Sequence, residues 1–186
     1  MRIIAGEFRG RHLLPPESDT TRPITDRVKQ SVFDILSPLI PGAIVYDCFA
    51  GTGSMGLECI SRGAAKAVFF ESDRSAIARL RQNIEILKVQ SICTIIATDV
   101  FRHFAPPPLC GVPSLVFLDP PYRFLTERAE ALRGLAAALG ACLAPDGTII
   151  FRHDSVDRLD LPGLRATDER TYGGMTVEFL QPQSGE

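Results

Sequence analysis

The stretch Ile44-Val45-Tyr46-Asp47-Cys48-Phe49-Ala50-Gly51-Thr52-Gly53-Ser54-Met55-Gly56 decides the fold. Its first five residues read as a β-strand, and its end opens a helix expected over Ser54–Arg62. Between them, Gly51 and Gly53 let the backbone turn sharply and let a ligand approach without interference from a Cβ. Strand, glycine turn and helix in that order form the first unit of an open α/β sheet, in which ligands lie beyond the carboxyl ends of the strands.

Outward from this unit the alternation continues. Ala67–Glu71, Cys93–Ala97, Leu115–Asp119 and Thr148–Phe151 read as strands separated by helical stretches, the pattern of βα units feeding a parallel sheet. Ile77, Leu80, Ile84 and Leu87 mark one apolar helix face, with Asp73 as its N-cap, and Leu125, Ala129, Leu132, Ala136 and Leu139 stripe another helix. Ala105-Pro106-Pro107-Pro108 forces a loop, Pro145-Asp146-Gly147 a turn, and Pro162–Pro182 reads as a closing hairpin. At the front, Arg2-Ile3-Ile4 and His12-Leu13-Leu14 predict a small hairpin, and Val28, Val32, Ile35 and Leu36 an amphipathic helix. Residues 1–40 are therefore read as an extension docked on a core that spans 41–186.

The bulk properties agree with one soluble domain: 186 residues, 45% hydrophobic, 23% charged and 8% aromatic. The longest nearly apolar run, Leu135–Ala144, is about half the ~18 residues of a membrane span, and Gly6 and Glu7 interrupt any signal-peptide core. Cysteines 48, 59, 93, 110 and 142 are scattered without a Cys-x-x-Cys pair or a histidine cluster, so free thiols in a reducing cytoplasm are expected and no metal site. The net charge is −2, yet residues 1–30 hold six Lys/Arg against four Asp/Glu. Arg9, Arg11, Arg22, Arg27 and Lys29 are thus candidates for contacts to nucleic-acid phosphates.

Acids sit where successive strands end. Asp47 precedes the glycine turn, where a carboxylate repels a pyrophosphate and suits a cationic or ammonium-bearing cofactor such as S-adenosylmethionine. Glu71 ends the second strand and can accept both hydroxyls of a ribose, and Asp99, after the third, can accept from an adenine amine. Phe49, Thr52, Ser72 and Val100 flank these groups and complete the expected cofactor contacts. Singly, each acid is as readily a cap or a surface group; three at successive strand ends beside a glycine turn are not. Gly51-x-Gly53-x-x-Gly56 followed by Glu71 also fits a dinucleotide fingerprint, so an NAD-dependent oxidoreductase stands as an alternative.

Asp119-Pro120-Pro121-Tyr122 follows an apolar strand and emerges at the same sheet edge. Prolines fix φ and remove N–H donors, so with the Asp119 carboxylate they make an acceptor-only pocket that wants an N–H donor. Accepting the hydrogens of an exocyclic base amine counters delocalisation of its lone pair, and Tyr122 can stack on the base. These four are the candidate catalytic residues. They point to methylation of an amine without choosing between guanine and adenine, so an adenine-N6 methyltransferase acting on DNA or RNA is the other alternative.

Together these motifs resemble the bacterial 16S ribosomal RNA guanine-N2 methyltransferases of the RsmD type, along nearly the whole chain. Arg2–Arg11 and Arg22–Val28 look like that family's N-terminal signatures, Asp47–Gly53 its cofactor motif, Asp119–Tyr122 its amine motif and Arg170–Thr176 its basic Tyr-Gly segment. Arg152-His153-Asp154 departs from the acidic pattern expected at that point. The resemblance implies a Rossmann-like class I methyltransferase fold, with a mostly parallel seven-stranded sheet and helices on both faces. It also implies S-adenosylmethionine as donor and 16S rRNA as substrate, within a small ribosomal subunit or an assembly intermediate, for a monomeric enzyme. In that scheme Gly51 and Gly53 face the methionine part, Glu71 the ribose and Asp99 the adenine. Asp119 and Pro120 hold the guanine amine, and Tyr122 stacks where many relatives have Phe.

Overall fold

The computed structural model describes residues 1–17, 24–104 and 111–183. Five strands, β1 (Ile44–Asp47), β2 (Lys66–Glu71), β3 (Cys93–Ala97), β4 (Leu115–Leu118) and β5 (Thr148–Asp154), pair in parallel. β6 (Leu164–Tyr172) and β7 (Met175–Pro182) form the closing hairpin, and β7 runs antiparallel to β5. The order across the seven-stranded sheet is β3-β2-β1-β4-β5-β7-β6. It reverses direction between β1 and β4, and a crevice opens beyond strand ends at such a switch point.

Alternation along β1 shows how the sheet is buried on both faces. Val45 joins a core with Val32, Phe33 and Leu36 of α1 (Asp26–Leu36), Leu57 of α2 (Ser54–Ser61) and Leu80 and Ile84 of α3 (Arg74–Leu87). Tyr46 turns to the other face, among Val100 of α4 (Val100–His103), Leu125 of α5 (Phe124–Glu127) and Leu132 and Leu139 of α6 (Ala129–Cys142). Each such leucine or phenylalanine taken out of water contributes ~1.5–3 kcal/mol. Asp73 caps α3 as expected, accepting from Ala76 N at 2.8 Å. Among the described residues no helix is long and apolar enough to cross a membrane.

The structure corrects four local expectations. The stripe Leu125–Leu139 is two helices, because Arg128 adopts φ −133°, ψ 30° and breaks the ladder between α5 and α6. The N-terminal hairpin is a single antiparallel bridge, Arg2 with His12, flanked by Ile3 N to Arg11 O and Leu13 N to Met1 O bonds. The buried face of α1 includes Phe33, which the Val28-Val32-Ile35-Leu36 stripe leaves out.

Lys29 is the fourth. It is 1% exposed, and its Nζ lies 2.9 Å from Glu58 of α2 and 3.3 Å from the Arg2 carbonyl, so it reaches no phosphate. Burial lowers the Lys29 pKa despite the opposing pull of Glu58. The Glu58 carboxyl, which burial alone would raise, is held below its usual value by Lys29 and by the amide of Ile4. Removing one partner of such a buried pair costs ~3–5 kcal/mol. Glu58 also accepts from Ala5 N and Arg62 Nε, and Glu7 N donates to Ser61 O, so the first residues are fastened onto α2. The loop expected at Ala105–Pro108, and Arg22 and Cys110, lie outside the described residues.

Candidate active site

The glycine turn is tied down on both sides. Cys48 N donates to Phe117 O of β4 at 3.0 Å, and Ala50 N to Phe70 O of β2 at 3.1 Å. Gly51 and Gly53 both take positive φ, 53° and 89°. A Cβ on Gly53 would lie 2.4 Å from Leu80 Cδ1, whereas one on Gly51 would meet nothing within 4 Å. Gly53 is therefore shaped by packing, while Gly51 faces open space that a ligand could fill. Thr52 is buried, its carbonyl accepting from Asn83 Nδ2 of α3 at 2.9 Å.

The strand-end acids converge on this turn. Asp47, 2% exposed, accepts from Gly56 N at 3.1 Å. Burial pushes its carboxyl up to about 7; the Gly56 amide and Arg152 oppose this, and the charges of Asp119 and Glu71 add to it. Glu71 accepts from Gly51 N at 2.7 Å through one oxygen, and from Ser72 N and Asp73 N at 2.8 Å through the other. Each carboxylate oxygen has two lone pairs, so one acceptor position remains, on the oxygen that takes only Gly51 N, and Glu71 can accept one ribose hydroxyl rather than the two expected. Asp99 accepts from Phe101 N at 3.1 Å, next to the buried Val100.

Asp119 emerges from β4 one residue past the Leu118–Phe151 pairing, and Asp47 lies opposite Phe117, so both open onto one edge. Pro120 is buried; Pro121 O and Tyr122 O accept from Phe124 N (2.8 Å) and Leu125 N (3.0 Å), which anchors the tetrapeptide on the first turn of α5. Beside it, the Phe49, Phe101 and Phe124 rings form a cluster with centroids 5.7–6.3 Å apart.

Two arginines were not assigned to the site from the sequence. Arg128 lies 4.1 Å from the Phe101 ring and 3.4 Å from Asp99 Oδ2. Its only sequence signal is a charge inside an apolar stripe. Arg152 Nε lies 2.6 Å from Asp119 Oδ1. Its signal was the basic residue standing where the resemblance leads one to expect an acid.

Arg9, Arg11 and Arg27 are exposed. The turn with Arg9 and Arg11 is fastened at the C-terminal end of α2 through Ser61, which accepts from Glu7 N and Phe8 N. The glycine turn lies at the other end of that eight-residue helix, about 12 Å away. Arg9 and Arg11 therefore sit apart from the acid cluster.

The acid cluster and open glycine turn fit a ligand that combines positive charge, sugar hydroxyls and an aminopurine. They oppose a pyrophosphate, for which the three carboxylates Asp47, Glu71 and Asp119 would be repulsive.

The family described as "Conserved hypothetical protein 95" matches residues 1–181. "Putative rRNA methyltransferase YlbH" of Bacillus subtilis (strain 168) is 34% identical over 179 residues, covering 93% of this chain and 94% of that protein. "Ribosomal RNA small subunit methyltransferase D" of Escherichia coli (strain K12) is 41% identical over 124 residues, 66% of this chain and 61% of that protein. Among solved structures, "Putative methyltransferase yhhF from Escherichia coli" superposes with TM-score 0.85 at 30% identity, covering 100% of this chain and 99% of that one. The chain belongs to the conserved hypothetical protein 95 family, the RsmD-type class I methyltransferases.

Proposed function

We propose that this enzyme transfers a methyl group from S-adenosylmethionine to the exocyclic N2 amine of a guanine in 16S ribosomal RNA. The observation that carries the reading is the shared edge: the glycine turn after β1 and Asp119-Pro120-Pro121-Tyr122 after β4 leave adjacent parallel strands in the same direction. The names of the relatives, rRNA small subunit methyltransferase D among them, supply the substrate class.

In this reading Gly51, Gly53, Phe49 and Thr52 line the methionine side, with Asp47 opposite its ammonium group. Glu71 and Ser72 meet the ribose, and Asp99 and Val100 meet the adenine. When bound, S-adenosylmethionine supplies a methyl carbon on a positively charged sulfur, so the chain needs to contribute alignment and exclusion of water more than a strong base. Asp119 and the Pro120 carbonyl accept the two amine hydrogens, which localises the nitrogen lone pair and aims it. Tyr122 stacks on the base and Pro121 fixes the corner. The N-methyl ammonium formed on the base is acidic and loses its proton to Asp119 or to water. The guanine must leave any stack to reach a site at a sheet edge, so the target is an unpaired or extruded nucleotide.

The test is incubation of the enzyme and labelled cofactor with small-subunit particles lacking the modification, followed by nucleoside analysis. N2-methylguanosine is the expected product. N6-methyladenosine would assign the site to adenine instead, and no labelled nucleoside would remove the rRNA assignment.

A further inference from the structure

Asp47 ends β1, Glu71 ends β2 and Asp119 follows β4; burial raises the Asp47 carboxyl, and the charges of the other two add to it. Arg152 opposes them. Arg152 stands on β5 beside the β4 end, and its side chain is 13% exposed against 20% for Asp119. Nε donates to Asp119 Oδ1, and Nη1 lies 3.6 Å from Met175 Sδ on β7, so the guanidinium is held from two sides. Tyr122 and Asp47 also lie within its field. The neighbouring His153 points to the opposite sheet face, where its Nε2 is 3.1 Å from Glu178, so that pair does not compete for Asp119.

The contact is one-sided in a useful way. Arg152 engages Oδ1, so Oδ2 is the oxygen the proposal assigns to the incoming amine. An acceptor must be aimed, and a guanidinium at this distance holds the carboxylate in place by a charge-assisted hydrogen bond.

We infer that Arg152 is a positioning residue for the amine-acceptor site, holding Asp119 oriented so that its second oxygen receives the target amine. This rests on the reading of Asp119 as the amine acceptor, and it adds a residue from the neighbouring strand β5. In the proposal Arg152 acts through Asp119.

The experiment compares wild type, Arg152→Gln and Arg152→Lys by two readouts. The first is carbon NMR of carboxyl-labelled aspartate, with the Asp119 signal assigned by its loss in Asp119→Asn. In Arg152→Gln the Asp119 carboxyl signal, read at one fixed pH, should move from its wild-type position as the charge-assisted hydrogen bond is lost, and Arg152→Lys should restore most of the difference. An unmoved Asp119 signal in Arg152→Gln overturns the inference.

The second readout is N2-methylguanosine formation. Arg152→Gln should lose kcat by about tenfold to a hundredfold, with KM for the cofactor within about twofold, and Arg152→Lys should recover part of the loss. An equal loss in Arg152→Lys, or a loss carried by KM, means a structural role only, and a gain in kcat means that the ion pair blocks the acceptor; each overturns the inference. If wild type forms no methylguanosine, the proposed function fails on its own, and the NMR comparison still decides the role of Arg152. Thermal melts of both variants show whether they are folded before either result is read.

Discussion

Asp47 is where the site's demands and the fold's stability meet. Its folded carboxyl holds a proton up to about pH 7, whereas its ordinary value is 3.8. Between these values the folded state binds more protons than the unfolded chain, so this residue's contribution to stability falls as pH rises. Asp47→Asn should therefore melt above wild type at about pH 8, and the gap should close toward about pH 4. A gap independent of pH would remove the assignment of that proton to Asp47. In the same variant, calorimetry in buffers of different ionisation enthalpy should lose the proton release expected when S-adenosylhomocysteine, with its ammonium group, binds near neutral pH. Asp47, Glu71 and Asp119 are legible from sequence because each directly ends or follows a strand, which fixes its edge. Lys29 is not: in a polar run a lysine reads as surface, and its burial follows from Glu58, a residue remote in sequence that only the packing of α1 on α2 brings to it.

At the scale of elements, the glycine turn separates two physical roles that the motif alone merges. Gly53 takes a positive φ and leaves no room for a Cβ against Leu80, while Gly51 takes a positive φ facing open space. Gly53→Ala should therefore destabilise the fold by about 1–3 kcal/mol, and Gly51→Ala by about 1 kcal/mol or less. Affinity for S-adenosylhomocysteine should nevertheless fall more per unit of lost stability in Gly51→Ala. Denaturant melts and calorimetric titration of the two variants check this, and equal loss of affinity and stability in both would remove the distinction. Parallel strands and α3 are legible because their periodicities are uninterrupted. The break between α5 and α6 is not, since residues on both sides keep one apolar stripe and only the backbone at Arg128 departs from it.

Across the whole molecule, the first forty residues contribute Ile3, Leu13, Val32, Phe33, Leu36 and Ile40 to the same core as Val45, Phe69 and Phe117. The turn with Arg9 and Arg11 is consequently held at a fixed distance from the cleft, as a bound RNA would require. Neutralising both should weaken RNA binding and flatten its salt dependence by about two phosphate contacts, with S-adenosylhomocysteine affinity unchanged. An unaltered salt slope would leave them as surface charges. The convergence of the two motifs was legible from their strand-end positions, whereas Arg128 and Arg152 were not, because their partners lie on other elements. The proposed division of labour across one cleft, the glycine turn holding the cofactor and Asp119 the amine, is checked by S-adenosylhomocysteine affinity and single-turnover methyl transfer measured side by side in Asp119→Ala. Cofactor affinity should stay within a few-fold of wild type while most turnover is lost; vanished affinity with turnover per bound complex preserved would overturn the division.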